Sequence, residues 1–378
     1  MYQAEHRIFR EAFRRFLDRE VVPHIDRWEA DGIVPREAWA KLGAAGFLCP
    51  WLPAEYGGSG ADFLYSVVIA EELARAGAVG LMAPLHSDIV VPYLYHLGTE
   101  EQRRRWLPGC ASGEILTAVA MSEPNAGSDL AALKTWARRE GDEYVINGSK
   151  IFISNGIQAD LVVVACRTDR DAPPSRGISL ICVEADAPGF KRGRKLEKMG
   201  LRSQDTAELV FDECRVPAGN LLGQENRGFY HMMAHLQQER LMCAVMAQAM
   251  AEAMLDMTVT YATERKAFGR PVAAFQHNAF KIVDMATEIK MGRAFLDQLI
   301  RRHLAGDDIV TDVSMAKAWI AEMANRVAYH CVQLHGGYGY MEEYPICRFY
   351  RDVRPFAIFA GTTEIMKLIV ARNMGLLG

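Results

Sequence analysis

Twice along this chain the spacing of apolar residues changes, and those two changes limit the fold more than any single motif. From Phe9 to about Leu107 the apolar positions recur at helical spacing, as in Phe9, Phe13, Phe16 and Val21. After Ala118 the period shortens to two residues. Tyr144-Val145-Ile146 and Lys150-Ile151-Phe152-Ile153 flank Asn147-Gly148, a dipeptide suited to the turn of a β-hairpin, and further β-rich runs follow at Leu161 to Ala165, Ile178 to Val183 and Glu208 to Phe211. From about Gly228 helical spacing returns, in stretches from near His231 to Arg265, Ala279 to Leu304 and Val313 to Leu334, with a short one after Thr363. The spacing predicts an α+β chain in three parts: a helical domain over 1–117, a β domain of barrel or sandwich size over 118–225, and four bundled helices over 226–378. At 378 residues, half of them hydrophobic, each part can bury a core of its own.

Local signals add detail. Thr99 with Gln102 forms a capping box for a helix expected to end at Pro108. Pro53 and Gly57-Gly58 mark a loop between helices, and Arg170 to Arg176, with Pro173-Pro174, an exposed loop between strands.

A formal charge of -4 gives no bulk field for nucleic acid or an anionic membrane, and clusters such as Arg103-Arg104-Arg105 read as solvated helix faces. The eight cysteines contain no CxxC pair, which favours reduced thiols over a disulfide frame or a zinc site. Neither a signal peptide nor a transit peptide is expected in Met1-Tyr2-Gln3-Ala4-Glu5-His6, so a cytoplasmic protein is expected. Interruptions such as His86 and Asp88 argue against an integral membrane segment.

Four stretches carry candidate chemistry. In Ala120 to Asp129, Ser122 and Ser128 flank Pro124, Asn125 and Gly127, so a tight turn would direct both hydroxyls and several N–H groups to one ligand face, as a phosphate or a flavin edge requires; an ordinary polar turn is the plain alternative. Glu239-Arg240 lies on the long helical stretch, where a glutamate is more often solvated or paired with its neighbour than catalytic. Gln333-Leu334-His335-Gly336-Gly337-Tyr338-Gly339 would let a phosphate approach the backbone, or would simply cap a helix. The fourth is Ala360-Gly361-Thr362-Thr363-Glu364. Arg265 to Gly269 ends a helix, where Arg265 can serve a phosphate or the helix dipole. His231, His235 and Glu239 share a helix face and could hold zinc, although HExxH is absent. Met242, Met246, Met250 and Met254 form a stripe that reads as core, with a soft wall for an acyl chain as the other reading. No GxGxxG follows a strand, so a nicotinamide-binding unit is unsupported.

In this order and at these separations the stretches resemble the acyl-CoA dehydrogenase family, from about Phe9 to the C-terminus. The resemblance implies an N-terminal α-helical domain, a middle β-barrel-like domain and a C-terminal four-helix bundle, with FAD as cofactor and no metal. It sets Met121 and Ser122 against the pyrimidine side of the flavin, Ser128 near the pyrophosphate, and Phe152 and Ser154 at the ring edge, Phe152 standing where the family often has tryptophan. It also implies that Arg265 and Phe268, with Gln333, Leu334, His335, Gly336 and Gly337, reach the FAD of a neighbouring subunit. Gln276, Thr362, Thr363 and Glu364 match further flavin contacts.

Many members keep the catalytic carboxylate immediately before the last Gly-Thr, and here that position is Ala360. The isovaleryl- and long-chain enzymes carry it on the bundle helix before an arginine, which implies Glu239 as α-proton acceptor and flavin N5 as β-hydride acceptor. Substrate contacts carried over are Ser128, Tyr230, Gln237, Arg240, Ala360 and Gly361, with the Ala360 N–H donating to the thioester carbonyl. The implied reaction turns a medium- or long-chain, or branched, acyl-CoA into a trans-2-enoyl-CoA, with electrons passing to electron-transferring flavoprotein and a homotetramer built as a dimer of dimers. The alternatives are an oxygen-using oxidase or monooxygenase on the same fold, and an assembly or scaffold protein that has lost its chemistry.

Overall fold

Helical spacing in the first third of the chain produces six α-helices: α1 (Ala4–Glu20), α2 (Ile25–Asp31), α3 (Arg36–Ala44), α4 (Phe63–Arg75), α5 (Val91–Leu97) and α6 (Glu100–Ser112). The computed structural model describes residues 1–377. Phe13, Phe16 and Leu17 of α1 pack with Trp28, Trp39 and Leu42 in one core, while α4 is buried from Val67 to Ala74 because it lies between α1 and the C-terminal helices. The Thr99–Gln102 capping box is present at the start of α6, but the helix does not stop at Pro108. It runs on to Ser112, since burial of Leu107, Cys110 and Ala111 offsets the one hydrogen bond proline cannot make, and Gly113 in the left-handed region ends it. A single π-helical turn, Leu85–Val90, runs directly into α5.

The middle of the chain forms one sheet of eight strands: β1 (Thr117–Ala120), β2 (Trp136–Glu140), β3 (Glu143–Ser154), β4 (Leu161–Arg167), β5 (Ile178–Glu184), β6 (Phe190–Lys195), β7 (Thr206–Pro217) and β8 (Leu221–Leu222). The order is β6-β7-β3-β2-β4-β5-β8, with β1 parallel to β4. Only the Trp136–Arg167 pair joins β2 to β4, so the sheet divides there into halves that share a core containing Tyr144, Ile146, Leu209 and Phe211 from one and Val162, Val164 and Ile181 from the other. Alternation along β4 sends Leu161, Val163 and Ala165 to the opposite face, against α5, α6 and Met232.

The hairpin expected at Asn147-Gly148 is not there. β3 runs straight through both residues, and the two-residue turn is Gly141-Asp142, with Glu140 opposite Glu143 and Gly141 at φ +62°. At Asn147 the register with β7 slips by one residue, and the Asn147 amide serves the resulting bulge, accepting from the Glu213 N–H at 2.9 Å and donating to the Glu213 carboxylate at 2.8 Å. Gly148 is required for a different reason. At φ +145° a Cβ would sit 2.5 Å from Thr135 Oγ1 and 2.7 Å from its Cα. Gly148→Ala is therefore expected to lower stability by about 2 kcal/mol or more, read from urea denaturation, whereas an unchanged midpoint would show that Thr135 moves aside freely.

The C-terminal part consists of α7 (Gly228–Glu264), a small hairpin of β9 (Lys266–Ala267) and β10 (Arg270–Pro271), α8 (Gln276–Leu304), α9 (Val310–His335), α10 (Pro345–Val353) and α11 (Thr363–Asn373). Of these the sequence reading missed α10. α7 has no proline and only an initial glycine, and from Glu239 to Met250 every residue is buried. It is long and apolar enough to cross a membrane by length and composition, yet 67% of its apolar 18-residue stretch is buried, with α4, α8, α9 and α10 packed against the helix. Met242, Met246, Met250 and Met254 lie in this core.

Candidate active site

Glu239 stands one third of the way along α7, 6% exposed, where α5 and α7 meet. The Tyr93 hydroxyl of α5 donates to its Oε1 at 2.8 Å. Burial pushes the carboxyl up to about 7, and the Tyr93 hydrogen bond and the charge of Arg240 offset only part of that cost. The carboxyl is therefore poised to exchange a proton near neutrality. Arg240 is buried as well, but it forms no ion pair with Glu239, and its Nε has no hydrogen-bond partner among the described residues. The zinc arrangement does not form, since His235 instead packs its ring 4.3 Å from that of Tyr93 while Gln224 N–H donates to His231 Nε2.

The 121–135 loop is held from beneath by a buried charge pair. Lys150, with a fully buried side chain on β3, donates to the Met121 carbonyl and to Glu123 Oε1, both at 2.9 Å. Glu123 also accepts the N–H groups of Lys134 at 2.6 Å and Thr135 at 2.9 Å, and its own backbone closes a tight turn with Ala126. These contacts leave Met121 and Ser122 half-buried and Asn125, Gly127 and Ser128 exposed, and neither serine hydroxyl has an intrachain partner among the described residues. Beside them, two β3 residues, Ile151 and Phe152, bulge against Glu208 of β7. That frees the Ile151 N–H to donate to the Ser122 carbonyl at 3.0 Å and leaves Phe152 67% exposed at φ +61°, with Ser154 half-buried beyond it. A strained, outward aromatic ring beside free hydroxyls fits a flat ligand with a polar edge.

The loop before α11 approaches the same helix. Ala360, at φ +51°, packs against the core that contains Leu241 and Met242. Lys317 of α9, buried and near Arg240 and Cys243, donates to the Gly361 carbonyl. Thr362 caps α11 by accepting the Ile365 N–H, Thr363 donates to Glu322 at 2.8 Å, and Glu364 is exposed.

A third group lies at the far end of α7. Arg265 sets its guanidinium 5.4 Å from the Tyr338 ring, next to Gly336 and Gly337, where a side chain would meet only open space. Phe268 is 96% exposed at the tip of the β9–β10 turn, and Gln276 and Gln333 are exposed nearby in sequence to it and to the glycines. The buried His335 side chain is stacked on Tyr261 at 4.3 Å and its Nδ1–H donates to the Cys331 carbonyl at 2.8 Å, while its own carbonyl accepts the Tyr261 hydroxyl at 3.1 Å; Leu334 is half-buried. No hydrogen bond or ion pair among the described residues links this group to the 121–154 group. Tyr230 is 38% exposed beneath the Arg227 guanidinium, and the Gln237 amide oxygen is taken by the Ile309 N–H at 3.0 Å, a structural use.

Tyr93, Glu123, Lys150 and Lys317 were not found by sequence reasoning. For Lys150 a signal existed, a lysine among apolar residues in a strand. For Tyr93, 146 positions from its partner, there was none.

Three family models match in succession: the acyl-CoA dehydrogenase N-terminal domain over residues 3–114, the middle domain over 118–214 and the C-terminal domain over 226–375. Among curated relatives, the mitochondrial long-chain specific acyl-CoA dehydrogenase of Mus musculus is 46% identical over 375 residues, covering 99% of this chain and 87% of that protein. The mitochondrial isovaleryl-CoA dehydrogenase of Pongo abelii is 39% identical over 373 residues, covering 97% and 88%. The crystal structure of an acyl-CoA dehydrogenase from Geobacillus kaustophilus superposes with a TM-score of 0.98 at 58% identity, covering 99% of this chain and 98% of that one. On fold, domain succession and identity alike, the chain belongs to the acyl-CoA dehydrogenase family of oxidoreductases.

Proposed function

We propose that the protein is an FAD-dependent dehydrogenase that converts an acyl-CoA into a trans-2-enoyl-CoA, with Glu239 as the α-proton acceptor. The observation that carries this reading is a lone buried carboxyl raised to about 7 on α7, in a chain whose final loop offers only Ala360. The free hydroxyls of Ser122 and Ser128 and the outward ring of Phe152 fit a flavin, with Met121 and Ser154 beside them. When bound, FAD supplies the two-electron acceptor for the β-hydrogen.

The chain's own residues account for the rest. Glu239 accepts the α-proton from a site with little water, where a neutral-range pKa balances ionisation against basicity. The Ala360 N–H donates to the thioester oxygen as negative charge develops there, a role independent of its side chain. Phe152 bars water from one face, and the methionine stripe of α7 supports the core behind the acyl group. Arg265, Phe268, Gln276 and the Gln333–Gly337 backbone form a separate exposed face, suited to the FAD of a neighbouring subunit; Thr362 to Glu364 complete the flavin contacts. Exposed Phe280, Val283 and Met291 on α8 and Tyr329 on α9 support assembly as a homotetramer, a dimer of dimers. Electron-transferring flavoprotein is the proposed acceptor and the cytoplasm the proposed compartment.

Anaerobic titration of the purified yellow protein with a panel of straight and branched acyl-CoAs tests the reading. Flavin absorbance is expected to bleach with one class of thioester, faster as pH rises through about 7 and Glu239 ionises. Protein that takes up no FAD, or stays yellow with every thioester, would contradict it.

A further inference from the structure

We propose that Tyr93 is the positioning residue of the base: its hydroxyl fixes the Glu239 carboxyl in one orientation and favours its ionised form. The inference rests on Glu239 being the proton acceptor. Tyr93 is fully buried, its hydroxyl is 2.8 Å from Glu239 Oε1, and this is the only side-chain hydrogen bond the carboxyl receives among the described residues. Two features fix the ring. The π-helical turn Leu85–Val90 holds one residue more than an α-turn, which rotates the following face of α5 by about 100° and brings Tyr93 to α7. His235, one turn before Glu239, then packs against the ring, with His96 a further 5.6 Å beyond.

A phenol that donates to a carboxylate stabilises its charged form, because the buried oxygen has no water to replace it. Burial and the Glu239 charge push the Tyr93 hydroxyl itself well above its ordinary range, so it remains a donor at any working pH. The surrounding groups do not compete for the titration. His235 is pushed down to about 4 by burial and Cys243 up to about 12, while Arg240 and Lys317, though lowered by burial, start from far higher values. His96, also lowered by burial, lies beyond His235, and Asp88 in the π-helical turn is pushed up to about 7, so it requires a control.

Tyr93→Phe keeps the ring and removes one oxygen. In anaerobic stopped flow with saturating acyl-CoA, the pH midpoint for flavin bleaching is expected to move up by about one unit, slowing the reaction about fivefold at pH 7 and little on the alkaline plateau. Isotope-edited infrared titration of the Glu239 carboxyl in ligand-free protein, isolated by subtracting Glu239→Gln, should show the same displacement. A structural role alone would lower the rate at every pH without moving the midpoint, and that result overturns the proposal. The displacement should persist when both proteins also carry Asp88→Asn; its disappearance there would assign the titration to Asp88 and overturn it equally. Should Tyr93→Phe fail to fold, 3-fluorotyrosine in place of Tyr93, a stronger donor of nearly the same size, is expected to move the midpoint down, and an unmoved midpoint rejects the assignment. If Glu239→Gln bleaches as fast as wild type, the proton-acceptor reading itself fails. If it does not bleach and Tyr93→Phe leaves the midpoint unmoved, Tyr93 alone is misassigned.

Discussion

Lys150→Met is expected to destabilise the protein by about 3–5 kcal/mol and to weaken FAD binding by on the order of tenfold or more. The side chain is fully buried, so methionine fills much the same space, but Glu123 then keeps its charge without a cation. Two backbone N–H groups, from Lys134 and Thr135, still reach that carboxylate, which is why its loss of partner is costly rather than fatal. The effect should spread to the flavin because the same ammonium holds the Met121 carbonyl, next to Ser122. The double variant Lys150→Met/Glu123→Gln removes both charges, but the two N–H groups reach separate carboxylate oxygens, so the amide oxygen keeps one of them and loses the other. It should recover part of the stability, since one N–H is left without its acceptor, and a double-mutant cycle in urea measures that coupling directly. Equal stabilities for wild type and Lys150→Met would show that the pair does not hold the loop.

Much of this architecture was legible in the spacing of apolar residues, and the failures have physical causes. Alternation along β4 needs both its faces covered, and both are. Asn147-Gly148 misled because an asparagine side chain can satisfy a bulge as readily as a turn, and because glycine is equally needed where Thr135 crowds the backbone. Pro108 misled because burial on its neighbours outweighs one missing hydrogen bond. At the candidate site, the resemblance singled out Glu239, because it precedes Arg240 on a long helix while Ala360 stands where many family members carry a carboxylate. What surrounds it was not visible. Whether that glutamate meets water, Arg240 or a phenol depends on how α5 is rotated, and a π-helical turn leaves no mark in the sequence.

The buried carboxyl also leaves a thermodynamic trace. Since its folded-state pKa lies above the unfolded value, the folded protein holds that proton more tightly; the contribution to stability is complete below about 4.5 and is lost as pH rises through about 7. Glu239→Gln, which keeps an acceptor for Tyr93 but cannot ionise, should match wild type near pH 5 and exceed it by about 2–3 kcal/mol at pH 8. A gain in stability accompanied by loss of chemistry is the signature of a group kept for function. The loss of chemistry is the more direct test. Anaerobic stopped flow of Glu239→Gln, FAD bound and mixed with the thioester that bleaches wild type fastest, is predicted to show flavin reduction slowed roughly a thousandfold. Bleaching at the wild-type rate would contradict the account.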